Sequence, residues 1–320
     1  MPVRLAEREW PLSHGDQRAV VAARGGALRS YRVAGRPVVD GWADGELPPA
    51  FNGAVLGPWP NRISDGRWRF AGVEHQLPVN EPDRQTALHG LVIWADWQLV
   101  SHRADAIVLS CRVPAQPGYP FDLRLQVRWS LTGDGLRCEY EAENVGGRTA
   151  AENIGARPAP FGIGCHPFFG FEEHPVDQLT LTVPARRQQA TDDRLLPTEL
   201  VAADPRLPDG LPLAGQSLDA AFTELDRAPD GSTEVVLSSP AGAVRIWADP
   251  AFGWWQVYTS DMYPAGSDRH RRSVAIEPMT CGPDAFNTGV DVLMLEPGQP
   301  WRASWGVRVD QAAEDTRNTG

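Results

Sequence analysis

The 320-residue chain contains no lysine: all 30 of its basic residues are arginine. That absence has chemical force. Schiff-base catalysis, attachment of pyridoxal phosphate and the phosphate-binding lysine of a P-loop each require an ε-amino group, so these classes are excluded. Cysteine is scarce. Cys111, Cys138, Cys165 and Cys281 form no C-x-x-C pair, which argues against a structural zinc site. No apolar run is long enough to span a bilayer, and the opening "MPVRLAEREWPLSHGDQ" is polar rather than signal-like. Reduced thiols, a cytoplasmic location and no membrane partner are therefore expected. Basic patches are missing too. The net charge is −11, and only Arg269, His270, Arg271 and Arg272 concentrate positive charge, a knot that reads as a solvated loop. Such a chain is a poor partner for nucleic acid. Finally, no segment sustains a helical period with caps.

What the chain does have is strand alternation. In "LRLQVRWSL", Leu123, Leu125, Val127, Trp129 and Leu131 share one face, and Arg124, Gln126, Arg128 and Ser130 the other. After the turn "TGDG", Leu136, Cys138, Tyr140 and Ala142 alternate with Arg137, Glu139, Glu141 and Glu143. Two alternating runs around a glycine-containing turn predict a hairpin with one wet face and Arg–Glu pairs across it. "GRWRFAGVEHQL" predicts a second hairpin turning at Ala71-Gly72, and "EVVLSSPAGAVRIWAD" a third turning at "SPAG". Near the end, Trp301, Ala303, Trp305, Val307 and Val309 alternate with polar positions. The 29 prolines and 31 glycines are spread along the chain, as suits many strands joined by loops. The fold class is all-β, a large antiparallel β-sandwich. Without a repeat or a linker-like shift in composition, residues 1–320 read as a single domain, with a frayed tail over 311–320 and a long loop from Asp204 to Pro212.

Candidate chemistry falls in five places where polar groups interrupt apolar or aromatic sequence. They are Asn61 and Arg62 in "GPWPNRIS", His89 in "ALHGLVIWADW", His166 in "FGIGCHPFFGF", Gln256 in "WWQVYTSD" and Glu277 in "VAIEPMTCGPDAFN". Each has an ordinary reading. Arg62 could be a surface ion-pair residue, His89 part of a turn, Gln256 an exposed strand position and Glu277 an edge residue. A carboxylate straight after Val274, Ala275 and Ile276 is, however, costly to bury without a partner. Around His166, the glycines Gly162, Gly164 and Gly170 are expected to let a ligand approach the backbone. Phe161, Phe168, Phe169 and Phe171 are expected to exclude water. As a set, these residues offer donors and acceptors for hydroxyl groups, with aromatic faces for C–H surfaces. That is the polar complement of a sugar.

The ordered blocks "PNRI", "LHG", the His166 stretch, "SLDAAF", "QVYTSD" and "IEPMTCGPDAFN" with its later "LEPG" span about residues 50 to 300. In that order they resemble the aldose 1-epimerases, or galactose mutarotases. The resemblance implies the family's β-supersandwich and a reaction that interconverts sugar anomers. It implies His166 as general acid, Glu277 as general base, and Asn61, Arg62, His89, Asp219 (in "LDAAF") and Gln256 as substrate-binding residues. No metal and no cofactor are implied, and the partner is a monosaccharide, bound by a monomer or homodimer. The chain departs from the family where it reads His166-Pro167-Phe168-Phe169-Gly170-Phe171 in place of His-x-Tyr-Phe-Asn-Leu, which bears on which sugar is taken.

Three alternatives accompany this reading. A hexose-6-phosphate 1-epimerase would need extra cations, for which Arg84 and the Arg269–Arg272 knot are candidates. A sugar-binding or regulatory protein could keep the fold without the activity. A metal-dependent hydrolase is disfavoured, because His166 and His174 lack metalloprotease spacing.

Overall fold

The predicted alternation becomes sheet geometry most plainly in the segment Leu123–Asn144. In the computed structural model, which describes residues 8–43, 45–146, 157–261 and 263–311, strands Leu123–Thr132 and Gly135–Asn144 pair antiparallel across a two-residue turn. Leu123, Leu125, Val127, Trp129 and Leu131 are buried. On the other face Arg124 pairs with Glu143 and Arg128 with Glu139. These exposed ion pairs contribute little, about 0–1 kcal/mol each. The buried face stabilises far more, at roughly 1.5–3 kcal/mol per large apolar side chain. The other two hairpins form as expected, with Phe70 opposite Val73 and Ser239 opposite Gly242. Of the tail expected to fray, Gln311 instead ends the last strand, paired with Gly242, and the residues beyond it lie outside the described ones.

Among the described residues most strands assemble into two large antiparallel sheets, with three two-stranded ones beside them. The nine-stranded sheet runs Gln98–His102, Ala106–Val113, Leu123–Thr132, Gly135–Asn144, Trp301–Gln311, Gly242–Ala248, Thr233–Ser239, Thr180–Thr182 and Leu211–Pro212. Its last strand corrects one expectation. The proline-rich segment from Asp204 does not stay a loop to its end, because Leu211 and Pro212 pair with Leu181 and Thr180. The edge position tolerates a proline, which has no N–H to donate.

The twelve-stranded sheet has the order Glu9–His14, Gln17–Ala22, Leu28–Val33, Arg36–Val39, Phe168–Phe169, Val274–Met279, Trp254–Tyr258, Asp219–Leu225, Ala185–Thr191 and Pro197–Ala202. Gly164–Cys165 also pairs with Val274–Met279, and Val55–Leu56 pairs with Gly164–Cys165. One hydrophobic cluster joins the sheets, with Trp129, Trp305 and Val127 from one and Tyr31, Trp255 and Ile276 from the other. Tryptophan and tyrosine bring polar tips into this core, and most find a partner, Trp255 Nε1 being buried without one among the described residues. Trp129 Nε1 donates to the Gly26 carbonyl at 3.0 Å, and Trp305 Nε1 to the Tyr140 hydroxyl at 3.1 Å.

Register decides what the far face of the larger sheet displays. Gln256 stands opposite Glu277 and Ala221, and Tyr258 opposite Asp219 and Ala275. Because side chains alternate, Glu277, Gln256, Asp219 and Tyr258 share one face, while Trp255, Val257 and Ile276 point into the core. A polar cluster is thus built on the outer face of a sheet whose inner face, beneath these residues, packs Trp255, Val257 and Ile276 into the core.

Loops close over this face, and one contact there tolerates only glycine. Gly90 follows His89 with φ +81°, and a Cβ placed on it would lie 2.1 Å from the Gly57 carbonyl oxygen. The Leu91 amide donates to that same oxygen at 2.7 Å. Gly90→Ala is expected to destabilise the fold by more than about 2 kcal/mol, through left-handed strain and a backbone overlap that no rotamer relieves. Denaturant unfolding against wild type measures it, and an unchanged midpoint contradicts it.

Candidate active site

His166 sits in a break between two short strands. Gly164–Cys165 and Phe168–Phe169 both pair with Val274–Met279, and His166-Pro167 bridges them. Its backbone is tied on both sides: the amide donates to the Ala54 carbonyl at 3.1 Å, and the carbonyl accepts from the Gly53 amide at 2.8 Å. The side chain is left to project over the neighbouring strand. There His166 Nε2 lies 3.3 Å from Glu277 Oε1, and both side chains are buried. The imidazole stacks on Phe168, with ring centroids 5.1 Å apart, and meets the edge of His89 at 5.2 Å.

Loops supply the rest of the site. Asn61 accepts from its neighbour's backbone, Arg62 N–H to Oδ1 at 2.9 Å, and donates through Nδ2 to Gln256 Oε1 at 3.1 Å. Gln256 Nε2 in turn donates to Asp219 Oδ1 at 2.5 Å. The Asn61 backbone N–H donates to His89 Nδ1 at 3.2 Å, which places the proton of a neutral His89 on Nε2. One chain of hydrogen bonds therefore runs from His89 through Asn61 and Gln256 to Asp219. Ala50, Phe51, Asn61, His89 and Leu195 all have positive φ. Left-handed backbone is costly outside glycine and collects at functional sites, where the surroundings over-determine it.

These groups enclose a cavity of about 150 Å³ lined by Phe51, Asn61, Arg62, Glu81, Arg84, His89, His166, Leu195, Asp219, Gln256, Tyr258 and Glu277, among others. All seven residues singled out in the sequence face it. Its volume admits one small polar molecule and is well below the roughly 300 Å³ at which drug-sized pockets begin.

Burial sets the electrostatics. It pushes the His166 imidazole down to about 4, with help from the Arg62 charge. It pushes the Glu277 carboxyl well above its usual range, with the Asp219 charge adding to the rise. His89 is likewise driven well below its usual value by burial, His166 and Arg62. His166 Nδ1 and Glu277 Oε2 are both buried without a hydrogen-bond partner among the described residues. Buried polar atoms are rarely left unpaired, so two in one cavity point to a polar ligand. His89, His166 and Glu277 also present ligand atoms all within 4.8 Å of one another, a set chemically able to hold a zinc-class ion. His174, paired with Gln178, takes no part.

A family model for aldose 1-epimerase matches residues 8–308. The chain belongs to that family. It is 34% identical over 300 residues to the uncharacterized protein YihR of Escherichia coli (strain K12), covering 92% of this chain and 91% of that one. It is 35% identical to the galactose mutarotase of Mus musculus over 98 residues, 28% of this chain and 27% of that one. In structure it resembles a GalM/aldose epimerase homologue from C. elegans, with a TM-score of 0.82 at 18% identity, covering 96% of this chain and 100% of that one. It also resembles the galactose 1-epimerase from Lactobacillus acidophilus NCFM, with a TM-score of 0.77 at 15% identity, covering 97% and 100%.

Within this aldose 1-epimerase family member, several local expectations need correction. The glycines near His166 do not open the backbone to a ligand. A Cβ on Gly162 would lie 2.4 Å from Cys281 Sγ, and one on Gly164 would lie 2.9 Å from the Pro278 carbonyl oxygen, so both serve protein packing. Of the four nearby phenylalanines only Phe168 stacks on the imidazole, while Phe161 packs against Trp301. The Arg269–Arg272 knot is not a solvated loop. Arg271 pairs with Asp177 and Asp261, and Arg272 grips Asp40 through two bonds of 2.9 and 2.6 Å. Arg269 and Arg272 line a separate groove beside Trp42, away from the epimerase-like cavity. Phe51, Glu81 and Tyr258 line the cavity but were not singled out in the sequence. Of these only Tyr258 carried a signal, its alternation with Gln256.

Proposed function

We propose that the protein is an aldose 1-epimerase acting on a free aldohexose, with Glu277 as base and His166 as acid. The observation that carries this reading is the 3.3 Å between His166 Nε2 and Glu277 Oε1 at the floor of the cavity. The anomeric hydroxyl and the ring oxygen are bonded to the same carbon. An acid and a base that act on the two together must therefore lie a few ångströms apart. Glu277 takes the proton of the anomeric hydroxyl, His166 protonates the ring oxygen, and the C1–O5 bond breaks to give the open-chain aldehyde. Rotation about C1–C2 presents the other face of the carbonyl, and reclosure with the proton transfers reversed gives the other anomer. Neither a redox step nor a metal is required. Arg62, His89, Asn61, Gln256 and Asp219 are assigned to the sugar hydroxyls. A free hexose is favoured over its 6-phosphate because Arg62 and Arg84, the arginines at the cavity, already share the Glu81 carboxylate.

We further propose one domain acting as a monomer or homodimer, in the cytoplasm, with no nucleic-acid partner. Four buried free thiols and a net charge of −11 support this, and among the described residues no helix is long and apolar enough to cross a membrane.

Polarimetry of freshly dissolved α-D-glucose tests the reaction. Catalytic amounts of protein should speed the approach to the equilibrium rotation. Binding without acceleration would instead support a sugar-binding protein, and faster turnover of hexose 6-phosphate would shift the substrate.

The pH dependence follows from burial. The working pair holds one proton, either as carboxylic acid and imidazole or as carboxylate and imidazolium. Protonation of His166 at about 4, with Glu277 already protonated, leaves no base, so the rate falls on acidification through that value. Loss of the last proton leaves no acid, so the rate also falls at a pH well above the ordinary carboxylate range. The expected kcat/KM profile is a bell with its acid limb near pH 4. An acid limb at the ordinary imidazole value would contradict the assignment.

A further inference from the structure

Glu81 is the most heavily engaged carboxylate at the cavity, yet it makes no contact with the proposed acid and base. Its Oε2 accepts from Arg62 Nε at 2.8 Å and from the Thr86 hydroxyl at 2.6 Å. Its Oε1 accepts from Arg62 Nη2 at 3.0 Å and from Arg84 Nη1 at 3.2 Å. The carboxylate is thus shared by two guanidiniums and held by a hydroxyl. The loop carrying it is braced by hydrogen bonds on both sides. Glu81 and Thr86 exchange backbone hydrogen bonds, both 3.2 Å long, and Arg194 braces the turn from outside through the Arg84 and Gln85 carbonyls at 2.9 and 3.1 Å.

The grip matters because of what else Arg62 could reach. Its charge already acts on Glu277, Asp219, His89 and His166. A flexible guanidinium beside Asp219 and the buried Glu277 would pair with one of them, since a buried charge is strongly drawn to a partner. A bidentate carboxylate fixes the plane and position of an arginine as no single contact can.

Resting on the epimerase reading, we propose that Glu81 is a positioning residue that clamps Arg62 at the cavity wall, keeping it from pairing with Glu277 or Asp219 while leaving its remaining N–H groups for the sugar. Burial raises the Glu81 carboxyl, but the bonds and charges of Arg62, Thr86 and Arg84 outweigh this and hold it below its usual value, so the clamp is ionised at neutral pH. The groups facing Glu277 are His166, Asp219, Arg62, His89 and the Cys165 thiol; those facing Glu81 are Arg62, Arg84 and Asp219.

The test is a double-mutant cycle of Glu81→Gln and Arg62→Met, read by polarimetry over pH. Glu81→Gln should lower kcat by about 10- to 100-fold and move both limbs of the pH profile down, because an unclamped cation opposes protonation of His166 and Glu277 alike. In the Arg62→Met background the same substitution should cost less than about threefold. Glu81→Asp, which keeps the charge but shortens the reach, should recover the limbs while recovering only part of kcat. A Glu81→Gln enzyme with wild-type kcat and limbs overturns the proposal, as does an equal cost with and without Arg62. Should Glu81→Gln unfold, Thr86→Val, which removes one bond to the clamp and no charge, should give a smaller kcat loss in wild type and none in Arg62→Met. A wild type with no mutarotation at all sinks the epimerase reading itself. The clamp then stands or falls on the NMR titration of His166, whose midpoint Glu81→Gln should lower and which an unmoved midpoint refutes.

Discussion

Glu277→Gln is expected to lose between about 10² and 10⁴ in kcat while remaining folded. That range corresponds to roughly 3–5 kcal/mol of transition-state stabilisation. The amide has nearly the shape of the carboxyl and fits beside Gln256 in the same register, but it cannot accept the anomeric proton. Stability should move the other way. Burial and the Asp219 charge raise the folded-state value of Glu277 above its unfolded one. The stability this group contributes is therefore fully present at pH below the unfolded value and is lost as pH rises through the folded one. Glutamine escapes that loss, so the variant should gain on wild type as pH rises from 5 to 8. Polarimetry and thermal unfolding at several pH values check both halves. Lost activity with a lowered unfolding midpoint at every pH would indicate damage to the fold instead of removal of a base.

The architecture was legible wherever one sheet face meets water and the other the core. Alternation then has a period of two, and Leu123–Leu131 could be assigned to a strand, a face and a turn. In the middle of the larger sheet that signal disappears. Every residue of Val274–Met279 is buried, and while its neighbour Trp254–Tyr258 is the preceding strand, the other, Phe168–Phe169, comes from a distant part of the chain. Glu277 could be suspected there only as a charge in an apolar run. Six of the polar residues were found by chemistry and Asp219 by the family resemblance, whereas their arrangement depends on register that no local pattern encodes. Glu81 escaped notice because it reads as an ordinary acid in a polar loop. Its importance comes from Arg62, Arg84 and Thr86 converging on it in space. The glycines near His166 misled for a related reason. The sequence shows that the backbone is approached closely, but not whether a sugar or the protein does the approaching.

His166→Ala should match the loss at Glu277, about 10²- to 10⁴-fold in kcat, and it should differ in how it can be repaired. Removing the ring deletes the acid and leaves space among Phe168, His89 and Phe51, whose rings lie 5.1, 5.2 and 6.3 Å from it. Added imidazole can enter that space and supply the missing proton, so the rate should rise with imidazole beyond the buffer-catalysed background. No such rescue is expected for Glu277→Gln, whose side chain still fills its place. The pH profile should change too. With His166 gone, the limb near pH 4 loses its titrating group, and the residual rate should be flat there. Retention of a limb at about 4 in His166→Ala would reassign that ionisation to another group. If imidazole rescued both variants equally, the acid and base roles could not be divided between the two side chains as proposed.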